Sequence, residues 1–192
     1  MKKMMLLAAI AASLAVNAVE EKPYIAFVNV NDAVEAQLFA NAITNFLPGI
    51  LQVRTKLATA KSVDVVGIMN PARRDQSLGK NARLAVYFVK DAAFPPQLTA
   101  PGMFAVINVR NLEKDADKAK FENRIHKMVL KGIAFACGFG ANQDAGRCVM
   151  GVGSFESLAG IDGTSASYSP FVNFPMSDYL MERNLLDDEP AF

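Results

Sequence analysis

The alternation of apolar runs and turn residues along the chain predicts a sheet of about four to five strands. Runs rich in β-branched and aromatic residues are typical of buried strands, and alternating apolar and polar residues are typical of a half-buried strand. The strands expected on these grounds are Tyr24–Val30, residues 50–57, Ala82–Val89 and residues 103–109. Residues 62–69 fit either a further strand or the end of a helical turn. Residues 70–81 are polar and residues 94–102 are rich in proline, so both stretches are expected to be irregular.

Two stretches carry the 3.6-residue apolar period of a helix that packs on a core. The first is expected to follow an N-cap at Asn31 or Asp32 and to end before Pro48. The second covers residues 115–139, with Gly132 on its apolar stripe. Its opposite, basic face is expected to carry Arg124, Lys127 and Lys131. Shorter helices are expected at residues 155–158 and 177–186. This order predicts one α/β (α+β) domain, with a mixed, twisted sheet packed against two main helices.

The N-terminus has the pattern of a signal peptide. Lys2 and Lys3 precede an apolar run over residues 4–16, and small residues stand at Val16 and Ala18. Cleavage after Ala18 would leave residues 19–192 as a single domain, exported to the periplasm or the extracellular space. The apolar run is shorter than the roughly 20 residues of a spanning helix, and no later stretch approaches that length, so the mature chain is not expected to cross a membrane. The alternative is an uncleaved interfacial anchor.

Charge excludes one class of partner. The chain has 20 Lys and Arg against 19 Asp and Glu, so it lacks the basic balance of a nucleic-acid binder. Its hydrophobic fraction of 52% is compatible with an envelope protein that exposes an apolar patch, although the N-terminal run inflates this value.

Residues 124–150 (RIHKMVLKGIAFACGFGANQDAGRCVM) combine an amphipathic helical pattern, a glycine-rich turn and a Cys-Val-Met triplet. This layout resembles the archaemetzincin branch of the metzincins, zinc proteases in which a helix carries HExxHxxGxxH and a C-x-M follows at the Met-turn. The resemblance covers residues 84–158, and MFAVINVRNL (103–112) is similar to the family's edge strand. It implies a metzincin-like domain with a cleft beside the long helix. The alternative is a generic amphipathic helix followed by a glycine-rich loop.

The positions that carry chemistry in that family hold other residues here. With Gly138 on the family glycine, the zinc histidines correspond to Lys131, Phe135 and Ala141, and the catalytic glutamate to Gly132. Zinc needs imidazole, thiolate or carboxylate ligands, and the glutamate must take a proton from zinc-bound water. The resemblance therefore implies a pseudoenzyme with no metal, no cofactor and a degenerate cleft. That cleft would comprise Lys131, Gly132, Phe135, Gly138, Ala141 and Met150.

The two cysteines suggest a covalent cross-link in the same region. The family's structural zinc site uses four cysteines, and here only Cys148 occupies a matching position, while Asn142 corresponds to another. An even cysteine count in an exported chain favours a disulfide, here between Cys137 and Cys148. Such a bridge would stabilise the fold by about 3 kcal/mol in the chain-entropy model. The alternative is that Cys137 is a buried small hydrophobe and Cys148 an unbonded thiol.

Other reaction chemistries find little support. His126 is the only histidine and is expected at the surface. It would lie about 16 Å from Cys137 along one helix, too far for a Cys-His pair. The serines lie outside any G-x-S-x-G elbow. Five acidic residues are candidates for an acid/base pair, with no reason to choose among Asp32, Glu35, Asp64, Asp91 and Asp162.

Three functions remain open. The first is a non-catalytic, exported binding module of the cell envelope that holds a peptide, a glycan or a protein, with residues 103–109 as an edge strand that pairs with an extended peptide. The second is a hydrolase with a non-metal site elsewhere, whose turnover chelators would not affect. The third is a structural envelope protein.

Overall fold

One mixed sheet organises the chain in the computed structural model, which describes residues 21–44, 53–143, 146–153 and 155–186. Its strands are β1 (Tyr24–Val30), β2 (Thr55–Ala60), β3 (Ala82–Val89), β4 (Gln97–Ala100) and β5 (Phe104–Asn108). Their spatial order is β2-β1-β3-β5-β4. All neighbouring pairs are parallel except β4 and β5, which are antiparallel. The predicted α/β class and the mixed sheet are confirmed.

The described helices are α1 (Ala36–Thr44), α2 (Val65–Met69), α3 (Pro71–Leu78), α4 (Lys118–Cys137), α5 (Leu158–Gly163) and α6 (Pro170–Glu182). The two main helices, α1 and α4, pack on one face of the sheet, where they share a core with Phe27 and Phe88. The opposite face packs against the α2 residue Ile68 and is lined by Tyr87 and Phe104. No described helix is long and apolar enough to cross a membrane. The predicted signal peptide lies outside the described residues.

The edge of the sheet differs from the prediction. Residues 103–109 were expected to be an edge strand, but β5 lies between β3 and β4. The edge strand on this side of the sheet is β4, inside the stretch that was expected to be irregular. Pro95 and Pro96 precede β4 and Pro101 follows it, which leaves four residues to pair on one side only. Proline lacks a backbone N–H, so a short strand between prolines is tolerated at an edge.

Two further elements correct the predicted boundaries. Residues 70–81 were expected to form a loop, but α3 occupies most of them, because the Asn70 side chain accepts from Ala72 N–H and Pro71 fits the first helical turn. Helix α1 starts later than predicted. Asn31 and Asp32 adopt positive φ angles of 50° and 51° in a turn, and the Glu35 carboxylate accepts the N–H groups of Gln37 and Leu38 instead. The predicted end at Pro48 lies outside the described residues.

Helix α4 positions most of the residues that the family resemblance singled out. Asp117 caps its start by accepting from Lys120 N–H, and Gly138 ends it in the left-handed conformation at φ 97°. The helix rests closely on the sheet at Gly132, where an added Cβ would lie 2.6 Å from Val86 Cγ1. Gly132, which was expected on the apolar stripe of the helix, therefore faces the sheet.

Gly132→Ala is therefore expected to lower the free energy of unfolding by about 1–3 kcal/mol, because the new methyl group must displace Val86 within the core. This loss outweighs the gain of about 1 kcal/mol that alanine brings to a helix interior. Urea denaturation at pH 7 measures the difference. Gly140→Ala is the matched control, since nothing lies within 4 Å of its added Cβ, and it should change stability by less than about 0.5 kcal/mol. A Gly132→Ala protein as stable as the wild type would contradict the close contact.

Candidate functional site

An open groove of about 980 Å³ runs beside α4, a volume within the range of ligand-binding clefts. One wall follows the loops around β4 and β5, and a second is the side of α4. The third consists of residues 151–153 and 155–157 and the start of α5. Its apolar lining includes Phe94, Ile107, Met128, Val152, Phe155 and Leu158. Its charged lining residues are Asp91, Arg110, Lys114, Lys131 and Glu156.

Lys131 is the cation that α4 presents to this groove. Its Nζ lies 3.9 Å from the ring centroid of Phe155 and 5.3 Å from that of Phe135. Both distances allow a cation–π interaction. No described carboxylate pairs with the ammonium. Burial lowers the pKa of Lys131 to about 8, because desolvation disfavours the charged form.

The six residues of the predicted cleft do not all meet in the groove. Lys131 and Ala141 line it, and Phe135 lies behind Lys131 with 7% of its surface exposed. Phe135 belongs to the main core, as does Met150. Gly132 faces Val86 and Ile107 of the sheet, and Gly138 lies against Pro101 at the end of α4. A side chain at position 132 would therefore point into the sheet.

The predicted disulfide is wrong. Cys137 and Cys148 are both buried and are not bonded to each other. Each side chain packs into the main apolar core, and the Cys148 sulfur accepts from Met150 N–H at 3.4 Å. Burial raises the pKa of Cys137 to about 12, so it is held as a neutral thiol.

Arg124 and Lys127 were expected on the basic face opposite the apolar stripe, but both are buried. They are 1% and 3% exposed, because α5 covers them and supplies oxygen acceptors. Arg124 makes two 2.7 Å contacts with the carboxylate of Asp162, and its third nitrogen donates to the carbonyl groups of Leu112 and Lys114. Lys127 Nζ donates to the Ile161 carbonyl at 2.8 Å. Asp162, one of the five acidic candidates, is thus part of an ion pair that fixes α5 to α4.

His126 is half-buried rather than at the surface as predicted. Burial lowers its pKa, and a contact with the Ala42 backbone opposes that shift, so the imidazole is packed toward α1. Within the described residues, no three histidine, cysteine or acidic side chains lie together in an arrangement that could hold a metal ion. The donor set beside Lys131 consists of one amine and the rings of Phe135 and Phe155, which does not fit a zinc site.

The fold has a counterpart among solved structures. No protein-family model and no curated protein matches the chain. The crystal structure of archaemetzincin from Methanopyrus kandleri matches with a TM-score of 0.58 and 18% sequence identity, over 82% of this chain and 96% of that one. At this identity the likeness concerns the fold alone. The chain therefore has an archaemetzincin-like, metzincin-type fold, as the pattern in residues 124–150 implied.

Proposed function

We propose that this protein is an exported, non-catalytic member of the metzincin-type fold that uses its groove to bind a partner. The observation that carries the proposal is the side chain of Lys131, an ammonium group that lines the groove where the family pattern has its first zinc histidine. A protonated amine has no lone pair for a metal, and Phe135 and Ala141 at the other two positions have no donor atom. A large groove without zinc ligands is suited to binding rather than to metal-assisted hydrolysis.

The partner that best suits the groove is an extended peptide. The edge strand β4 pairs on one side with β5, and no described strand lies on its other side, so backbone groups on that side could pair with another chain. Gln97 of β4 lines the same groove as Lys131. A peptide paired with β4 would therefore direct alternate side chains toward the groove. A binding test could instead identify a glycan or a folded protein as the ligand.

The non-catalytic assignment predicts that the purified protein contains no stoichiometric zinc and does not hydrolyse a broad peptide mixture. Elemental analysis and mass spectrometry of the mixture measure both. The archaemetzincin from Methanopyrus kandleri is the control for assay conditions. Stoichiometric zinc with chelator-sensitive cleavage would overturn the assignment, and turnover that resists chelators would instead support a hydrolase with a non-metal site.

Export is tested separately from binding. Expression of the full chain in a bacterium with an intact secretion pathway should yield a protein in the periplasm or medium whose first residue is Val19. N-terminal sequencing or intact mass measurement gives this result directly. Replacing Lys2 and Lys3 with glutamate should cause the uncleaved chain to accumulate in the cytoplasm, because the basic n-region guides insertion. An uncleaved wild-type chain at the membrane would favour an interfacial anchor instead.

A further inference from the structure

Lys131 differs from the other basic residues that α4 places against its neighbours. The guanidinium of Arg124 has a carboxylate and two carbonyl groups as partners, and the ammonium of Lys127 has the carbonyl groups of Ile161 and Asp162. The ammonium of Lys131 has two aromatic rings and no described oxygen partner. A cation that is partly removed from water without an anion is unfavourable, so a ligand oxygen would improve its environment.

We infer that the groove binds a peptide through a carboxylate that pairs with Lys131 Nζ, an inference that rests on the proposed binding function. The side chain of Lys131 lines the groove, which places the ammonium where a ligand in the groove could contact it. Charge-assisted hydrogen bonds between an ammonium and a carboxylate are about twice as strong as neutral ones. Partial burial of the Lys131 side chain strengthens the pair further.

The surrounding charges favour an anion. Three cationic side chains line the groove, from Arg110, Lys114 and Lys131, against the acidic side chains of Asp91 and Glu156. The Glu156 carboxylate is directed at Gly153, where its Oε2 would lie 3.8 Å from an added Cβ, and it makes no ion pair with Lys131. The apolar surfaces of Met128, Val152 and Leu158 line the same groove. The preferred ligand therefore joins a carboxylate to an apolar side chain.

Two sources of carboxylate share this chemistry, the C-terminus of a peptide and an Asp or Glu side chain within one. The test uses pooled hexapeptides of randomised sequence, synthesised once with a free C-terminus and once amidated. The full, folded chain is equilibrated with each pool, and retained peptides are identified by mass spectrometry. Enrichment confined to the free-acid pool indicates a C-terminal carboxylate, and enrichment of Asp or Glu in both pools indicates a side chain.

Variants then assign the contact to Lys131. For a retained peptide, Lys131→Met is expected to weaken binding at least about tenfold, the loss typical of a charge-assisted contact. Lys131→Arg, which keeps the charge, should stay within about threefold of the wild type. Lys118→Met is the matched control, because it removes an equal charge from a side chain of the same helix that is 84% exposed and does not line the groove. It should weaken binding less than about threefold.

A spectroscopic readout separates binding from a merely structural role. In protein labelled at lysine Cε with carbon-13, the chemical shift of Lys131 should titrate with a midpoint near pH 8. Addition of a retained peptide should raise that midpoint by at least about one pH unit. The carboxylate contact would be overturned if the retained peptides showed no enrichment of carboxylates, or if Lys131→Met bound them as tightly as the wild type. Either result would leave peptide binding in the groove intact. No retention of any peptide by the wild type would overturn both the contact and the peptide-binding function.

Discussion

Replacing Asp162 with alanine is expected to lower the free energy of unfolding by about 3–5 kcal/mol, because it leaves a buried guanidinium without its counter-ion. The Arg124 side chain is 2% exposed, and its Nε lies 2.7 Å from Asp162 Oδ1. Its Nη2 lies 2.7 Å from Oδ2, which makes the pair bidentate. Urea denaturation at pH 7 measures the loss.

Lys120 provides the matched control for this prediction. Its Nζ also lies 3.0 Å from Asp162 Oδ2, but its side chain is 44% exposed. Exposed ion pairs contribute up to about 1 kcal/mol, so Lys120→Ala should cost less than that. If Asp162→Ala and Lys120→Ala lost the same free energy of unfolding, burial of Arg124 would not determine the strength of its ion pair with Asp162.

The same ion pair makes stability depend on acid pH. Its hydrogen bonds with Arg124, and secondarily those with Lys120, hold the pKa of Asp162 well below the ordinary value of 3.8, while burial opposes the shift. A folded-state pKa below the unfolded one contributes stability that is complete above the unfolded pKa and is lost as pH falls below it. The stability difference between wild type and Asp162→Ala should therefore be constant from pH 5 to 7 and shrink below about pH 4.

The central strands could be predicted from the sequence and the edge strand could not. β1 and β3 are flanked by strands on both sides and covered on both faces, so each appears as an unbroken apolar run with clear ends. β4 has four residues and is half-exposed, and its flanking prolines indicate a loop. Its strand character depends on pairing with β5, a contact that local sequence does not report. The position of β5 inside the sheet follows from the same pairing.

The start of helix α3 carries a sequence signal for a helix, but the polar composition of the segment obscured it. Asn70 followed by Pro71 is the N-cap and first-turn pattern of a helix, but none of the α3 residues is buried. The segment therefore lacks the apolar stripe that reveals a helix packed on a core. A helix that is polar all round is read as a loop when periodicity alone is used.

Burial of Arg124 depends on a partner far along the chain. Asp162 lies 38 residues away, and nothing near it distinguishes this aspartate from the other acidic residues. Arginine and lysine are usually exposed, so burial of Arg124 and Lys127 could not be predicted from residue type. The groove was predicted in part, since Lys131 and Ala141 were placed in it through the family pattern. Its third wall, which includes Phe155, was not foreseen because an irregular segment forms it.

Lys131→Met is expected to raise the free energy of unfolding by about 1–3 kcal/mol at pH 7. Burial lowers the pKa of Lys131 from 10.5 to about 8 in the folded chain, and each pKa unit corresponds to about 1.4 kcal/mol of penalty on the charged form. The side chain is only partly buried, so the lower part of the range reflects screening by water. Chemical denaturation of both proteins at pH 7 measures the gain.

The pH dependence identifies the ammonium as the cause. Between pH 8 and 10.5 the unfolded chain binds the proton that the folded chain has released, so wild-type stability rises with pH relative to Lys131→Met. The gap between the two proteins should be constant below about pH 7 and close above about pH 10.5, as the unfolded state also loses the charge. Other titrating groups contribute equally to the stability of both proteins, so their contributions cancel in this difference. Lys114→Met should show no comparable gap, because its side chain is exposed.

A stabilising Lys131→Met variant that also loses peptide binding would separate function from folding. Binding sites commonly retain groups that destabilise the unliganded fold, because the ligand supplies the missing partner. A saturating carboxylate peptide should therefore stabilise the wild type by at least about 1.4 kcal/mol more than it stabilises Lys131→Met, which corresponds to the tenfold difference in binding. Equal stabilisation of both proteins by the peptide would show that the ligand does not contact the Lys131 ammonium. A Lys131→Met protein less stable than the wild type would show that the two aromatic rings already compensate the charge.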